Sequence, residues 1–188
     1  MRHLHLVRHG PTHAKCMVGW TDLPADLSDA DSLARLSAHL PSDATLISSD
    51  LARATATADA LASPGRSRLP HDPALREIHF GAWEMCAFAQ IEAEAPDHIR
   101  AFWETPGDIR PPGGESWNDV LARVGAALNR LPAGDVIVVC HFGAILAALQ
   151  LCLGLTAAQA FSHRIDNLSV TDLRHAGEWR LGALNHCP

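Results

Sequence analysis

The sequence predicts an α/β fold: a three-layer α/β/α sandwich with a mostly parallel sheet, a small helical cap insertion and a C-terminal hairpin. Three observations carry that expectation. Short β-branched runs alternate with Ala- and Leu-rich helical stretches, the order that builds βα units and a parallel sheet. A proline-broken middle section interrupts the alternation. The closing segment reads as two strands joined at a glycine.

The elements follow in chain order. His3 to Val7 reads as a short buried strand that runs into the Gly10-Pro11 break, so His9 sits just past its carboxyl end. "LSDADSLARLSAHL" has a Ser/Asp start and Leu33, Leu36 and Leu40 at helical spacing, which predicts a helix from about Asp29 to Leu40. "ATLISS" is a second strand. "DLARATATADALA", free of Gly and Pro, predicts a helix from about Leu51 to Ala62 with Arg53 in its first turn. From 63 to 114 the chain is broken by prolines from Pro64 to Pro112, yet "MCAFAQIEAEA" and "DHIRAFWE" still read as short helices of a cap. "SWNDVLARVGAALNRL" is an amphipathic helix, "DVIVVC" a central strand and "GAILAALQLCLG" a further helix. "RIDNLSVTDLRHAGEWRLGALN" closes the chain as a hairpin turning at His175 to Glu178. At 188 residues, a single domain over 1–188 is expected, with the cap as an insertion.

Composition restricts the partners. Hydrophobic residues at 47% and charged residues at 19% suit a folded, soluble chain. A net charge of −6 argues against a broad nucleic-acid-binding face, so any anion site has to be local. The cysteines are odd in number and never spaced as CxxC, which suggests neither a disulfide framework nor a zinc knuckle and points to a reducing cytoplasm. "MRHLHLVRHG" is too short an apolar run for a signal peptide, and "AILAALQLCLGL" is too short to span a bilayer, so no membrane partner is expected.

In open parallel sheets, ligands bind beyond the carboxyl ends of the strands. Three such ends carry polar groups here: Arg8 with His9, Arg53 after "LISS", and His141 after "VIVVC". Two guanidiniums and two imidazoles make a poor metal site, since Arg repels cations and no carboxylate or thiolate offsets a divalent charge. The same set suits a phosphoryl group, because Arg presents a fixed fork of donors to its oxygens. Helix N-termini after Gly10 and after His141 would add backbone N–H donors. His3, His5 and His13 read as structural histidines, Cys140 as buried packing and Glu84 as a residue that orients its loop.

"LVRHGPT", "ISSDLARATATA", "LREIHFGAWE" and "VVCHFGAI" resemble, in order, four blocks of the histidine phosphatase superfamily, which includes cofactor-dependent phosphoglycerate mutases. "GWTDLPADLS", "PPGGES" and "IDNLSVTDL" are similar to further family segments. The resemblance implies that His9 is a nucleophile forming a phosphohistidine, with Arg8, Arg53 and His141 holding the phosphoryl oxygens. It implies that Glu77 protonates the leaving alkoxide and then activates water. It also implies substrate contacts from Gly10, Thr12, Lys15, Trp20, Thr21 and Phe142, with no metal and no cofactor. For His9 to attack, one ring nitrogen must be neutral; the charges of Arg8, Arg53 and a protonated His141 are expected to depress its pKa.

Several positions depart from the family pattern. Lys15 stands where many relatives have Asn, Phe142 where a small residue is usual and Met85 where Gly is common, while Asp31 and Ala34 replace a Gly and Gln pattern. The short cap and "PPGGES" are most similar to the alpha-ribazole phosphatase branch and its broad-specificity neighbours. That implies a phosphomonoesterase acting on alpha-ribazole 5′-phosphate in cobalamin biosynthesis, or on a sugar or nucleotide phosphate. A mutase-type phosphotransferase, which would need cations such as Lys15, Arg76 and Arg110 for a second phosphate, stays open. So does a phosphate-recognising binding protein with little turnover. The expected partner is a small phosphorylated metabolite, and the chain is either a monomer or a homodimer.

Overall fold

The computed structural model describes residues Met1–Pro188. Its strands are β1 (Arg2–Arg8), β2 (Ala44–Ser48), β3 (Arg66–Arg68), β4 (Gly134–Cys140), β5 (Val170–His175) and β6 (Trp179–Leu181). They form one six-stranded sheet in the order β3-β2-β4-β1-β5-β6. β1 pairs parallel with β4 and antiparallel with β5, so β4, with five buried apolar residues, and β1 lie side by side at the centre. The sheet is mostly parallel; only β5, the first strand of the hairpin that turns through Gly177 at φ 92°, runs against the others.

The helices are α1 (Ala30–His39), α2 (Ala52–Ala60), α3 (Phe88–Glu94), α4 (Pro96–Glu104), α5 (Trp117–Arg130), α6 (Phe142–Leu153) and α7 (Ala157–Phe161). Strand alternation sends Leu4, Leu6, Val136 and Val138 into one apolar core with α5 and α6. It sends Val7, Ile137 and Val139 into a second core with Leu36 of α1 and Ala54 and Ala58 of α2. These are the two outer layers of the sandwich. Local chemistry starts the helices where the sequence indicated. Asp29 accepts from Ser32 N to cap α1, and Ser116 with Asp119 forms a capping box on α5. None of the helices is long and apolar enough to cross a membrane.

Two expectations need correction, and one helix goes beyond them. Residues 63–114 are not all cap, because Arg66–Arg68 joins the sheet edge as β3. A run of two arginines around a serine has no apolar alternation, so the strand is held by pairing with β2 and by Arg66, whose guanidinium caps carbonyls of Ser37, Leu40 and Leu61. No helix follows Gly10; the chain runs irregularly as far as Asp29. The helix without a counterpart in the sequence is α7, five residues opened by a Thr156–Gln159 capping box.

Candidate active site

β1 ends at Arg8 and hands the chain to His9, whose backbone is gripped on both sides. Its N–H donates to Cys140 O at 3.1 Å, and its carbonyl accepts from Asn167 Nδ2 at 2.8 Å. The buried ring then donates from Nδ1 to Gly10 O at 2.6 Å. That bond fixes the tautomer and leaves the Nε2 lone pair facing Arg53, whose Nε donates to it at 3.3 Å. Burial, followed by the charges of Arg53 and Arg8, holds the His9 pKa down to about 3, so the ring is neutral and nucleophilic at neutral pH.

Arg53 is only 1% exposed, and its place is set by the short loop before α1. Nη1 donates to Thr21 O at 2.9 Å and Nη2 to Gly19 O at 2.6 Å. That loop is itself wound on Glu84, whose carboxylate accepts from the N–H groups of Gly19, Trp20, Thr21 and Phe80 and from Thr21 Oγ1. Asp22 takes Ala52 N at 2.6 Å and so fixes the start of α2, the helix that carries Arg53. Arg8 donates from Nη1 to Ile165 O at 2.6 Å, lies 5.6 Å from the centre of the Phe142 ring, and keeps a buried Nε with no partner.

His141, the residue before α6, is fully buried with its ring centre 4.9 Å from that of His9. Burial, then the neighbouring His9 and Arg53, lowers its pKa, so it is neutral and adds no positive charge beside His9. Ser49 Oγ lies 2.6 Å from its Nε2, while Nδ1 is buried without a partner. With the Ser49 hydroxyl donating to Nε2, the proton sits on Nδ1. The orphan N–H of His141 and the orphan Nε–H of Arg8 are donors waiting for acceptor oxygens.

Glu77 closes the site. Gly143 N, at the start of α6, donates to its Oε1 at 3.0 Å and its Oε2 at 3.2 Å, and Ile78 N donates to Oε1 at 2.9 Å. Its charge reaches both Arg8 and Arg53, raising the pKa of each against the lowering by burial. Arg123 of α5 anchors the strand of chain beneath it, donating to the carbonyls of Ala74, Arg76 and Glu77 and pairing with Glu115 at 2.7 Å. Glu115 in turn accepts from His79 N. A nucleophilic imidazole, buried donors for phosphoryl oxygens and a carboxyl at the rim are the parts needed for phosphoryl transfer. The family model of the histidine phosphatase superfamily (branch 1) matches residues 4–186.

The chain belongs to the histidine phosphatase superfamily. The bifunctional protein Rv2228c of Mycobacterium tuberculosis is 35% identical over 132 residues, 68% of this chain and 36% of that protein. The chain therefore spans about a third of that relative's length. A protein of Serratia proteamaculans named "Probable phosphoglycerate mutase GpmB" is 30% identical over 185 residues, covering 93% of this chain and 86% of its own. Among solved structures, mycobacterial glucosyl-3-phosphoglycerate phosphatase superposes with a TM-score of 0.86 at 30% identity, covering 100% of both chains. The alpha-ribazole phosphatase of Shigella flexneri superposes with a TM-score of 0.84 at 24% identity, covering 98% of this chain and 96% of that one, a likeness of fold.

Within this histidine phosphatase site the five residues expected to be catalytic, Arg8, His9, Arg53, Glu77 and His141, lie at the carboxyl edge of the sheet. The expected substrate contacts divide. The N–H of Gly10 is spent on Thr57 Oγ1 at 3.0 Å, so it is not a free donor. The α6 N-terminus likewise gives its Gly143 N–H to Glu77 instead of to an anion. Trp20 and Thr21 act on the protein: Trp20 Nε1 donates to Glu77 O at 2.8 Å, and Thr21 belongs to the Glu84 loop. Thr12 is half-buried, with one long contact of 3.5 Å from Ala14 N. Lys15 is exposed and makes no hydrogen bond or ion pair. Phe142 does face the site, beside Arg8. Burial pushes the Cys140 thiol up to about 12, in keeping with packing. Ser49, Asp22, Thr57, Arg123 and Asn167 went unsingled in the sequence, since each acts through hydrogen bonds that only the folded chain brings together.

Proposed function

We propose that the protein is a metal-independent phosphomonoesterase that hydrolyses a small phosphate ester through a phosphohistidine at His9. The observation that carries this reading is the His9 ring, pinned at Nδ1 by Gly10 O and presenting a neutral Nε2 beside Arg53. In the first step the Nε2 lone pair attacks phosphorus in line, and the ester P–O bond breaks. Glu77, protonated on binding by the substrate monoanion, gives that proton to the departing alkoxide. Arg53 Nε–H, released from His9 as that lone pair forms the P–N bond, turns its donor to a phosphoryl oxygen, alongside Arg8 and His141. In the second step Glu77 takes a proton from water, the resulting hydroxide attacks phosphorus, and the P–N bond breaks to release inorganic phosphate.

The surroundings of Glu77 bear on the leaving group. A hollow of about 40 Å³ opens beside it, walled by Phe80, Phe102, Trp103, Phe142 and Phe161. It has room for a ring edge or a methyl-bearing flank, and no cation lines it. The indole N–H of Trp103 is buried without a partner, a donor for an acceptor on such a group. This favours an ester whose alcohol carries an apolar or aromatic flank, such as alpha-ribazole 5′-phosphate with its benzimidazole, met as a cytoplasmic metabolite. A mutase needs cations for a second phosphate. Of the candidates, Arg76 is paired with Asp50 and stacked 4.6 Å from Trp20, and Arg110 pairs with Asp119 at 3.1 Å. Lys15 alone is uncommitted.

Phosphate release in EDTA from 1-naphthyl phosphate, alpha-ribazole 5′-phosphate, glucose 6-phosphate and 3-phosphoglycerate tests this. The two aromatic esters should exceed 3-phosphoglycerate in kcat/KM by at least about tenfold. Preference for 3-phosphoglycerate, or transfer that requires 2,3-bisphosphoglycerate, would overturn the reading in favour of a mutase.

A further inference from the structure

The other end of the sheet holds a second cluster of chemistry-bearing side chains. In the β1–β4 register His3 lies opposite Asp135, and in the β1–β5 register His5 lies opposite Asp172 and His3 opposite Arg174. Alternation puts all five side chains on one face, away from Leu4 and Leu6. At about 3.3 Å per residue, the run from His3 to His9 spans roughly 20 Å, so this platform is separate from the phosphoryl site.

His3 Nδ1 stands 3.1 Å and His5 Nε2 3.2 Å from the same oxygen, Asp135 Oδ1. One donor atom from each of the three residues lies within 4.8 Å of the others. With metal–ligand bonds of about 2.0–2.1 Å, neighbouring donors of a tetrahedral zinc site stand about 3.3–3.4 Å apart. Two of the three separations are therefore close to that value before any ion arrives.

Behind the rings, Asp172 supplies an independent observation. Its Oδ1 is 2.8 Å from His5 Nδ1 and 3.6 Å from His3 Nε2, yet it is buried and has no hydrogen-bond partner. An ion on His5 Nε2 would fix the ring proton on Nδ1, 2.8 Å from this carboxylate, the arrangement by which outer carboxylates orient metal-bound histidines. We propose that His3, His5 and Asp135 bind a divalent transition-metal ion of the zinc class at the amino-terminal edge of the sheet, with Asp172 as the outer carboxylate. Imidazole donors select this class over magnesium or calcium.

The neighbouring groups define the competition. Arg174 Nε donates to His3 Nε2 at 3.2 Å and holds the proton on Nδ1, the nitrogen the ion needs; Arg174 is exposed and must swing aside. Burial, the adjacent His5 and the Arg174 charge keep the His3 pKa low, against Asp172 and Asp135, so the ring is not protonated at neutral pH. His39, stacked on His186 at 4.6 Å, adds to the field at Asp172.

Calorimetric titration of the chelator-stripped full chain with zinc chloride decides the matter, with cobalt(II) absorption reporting tetrahedral coordination. The wild type should bind one equivalent. His5→Ala and Asp135→Asn should each weaken binding by at least about tenfold, and Arg174→Gln should tighten it, all three keeping phosphatase activity. Absence of stoichiometric binding, or binding that survives both ligand substitutions because it sits on other histidines, overturns the proposal. Asp135 lies at the half-exposed start of β4, so its variant keeps the test decisive if His5→Ala misfolds.

Discussion

His9 ties catalysis to stability through one proton. In the unfolded chain its pKa is near 6.5, and in the fold burial holds it down to about 3. Between those values the unfolded state binds more protons, so stability falls as pH falls through that window and is fully present above it. His141 pulls in the same direction. The wild type should lose urea resistance on going from pH 7 to 4.5, by on the order of a few kcal/mol. His9→Asn should flatten that slope, and equal slopes in the two proteins would contradict the burial account. Gly143 is the second position where one atom decides. A Cβ there would meet Glu77 Oε1 at 2.3 Å while the same residue's N–H holds that carboxylate. Gly143→Ala is expected to lower kcat by about a hundredfold through displacement of the acid, and a variant with wild-type kcat would show that Glu77 does not act from this position.

At the scale of elements, the acid is held by a clamp that spans the molecule's layers. Arg123 reaches from α5 to the carbonyls of Ala74, Arg76 and Glu77, and Trp20 Nε1 reaches the same Glu77 carbonyl from the opposite loop. Arg123→Met keeps the apolar stem and removes every donor. It is expected to reduce kcat by roughly ten- to a hundredfold with a smaller change in KM, because geometry at the proton donor is lost and phosphate contacts are kept. A pure rise in KM would place Arg123 in substrate binding instead. Helix boundaries of this kind were legible in the sequence: Asp29 and Ser116 announce α1 and α5 by their caps. β3 and α7 were not, since three residues carry no period and five carry barely one turn.

For the whole molecule, the sandwich follows from apolar periodicity, and the strand ends that bear Arg and His bring Arg8, His9, Arg53 and His141 together, while Glu77 was reached only through the family resemblance. What stayed hidden was the direction of each polar contact. Trp20 and Thr21 sit in the loop a sequence reader assigns to substrate, but their donors point at Glu77 and Glu84. The N–H of Gly10 is consumed by Thr57, forty-seven positions away in the chain. His3 and His5 looked merely structural until β4 and β5 brought Asp135 and Asp172 to them. Long-range pairing, invisible to spacing, decides each of these five residues.

The central claim is a covalent intermediate on His9, and it is tested most directly by trapping it. Glu77→Gln retains the phosphoryl-binding groups but lacks the base for the second step, and an activated aryl phosphate needs no acid for the first. Mixed with such an ester in EDTA, quenched in alkali and mapped by peptide mass spectrometry, this variant should carry a phosphoryl group on His9. The same variant with His9→Ala added should carry none. A phosphoryl group on another residue, or EDTA-resistant wild-type turnover that persists when His9 is replaced by Ala, would contradict the account.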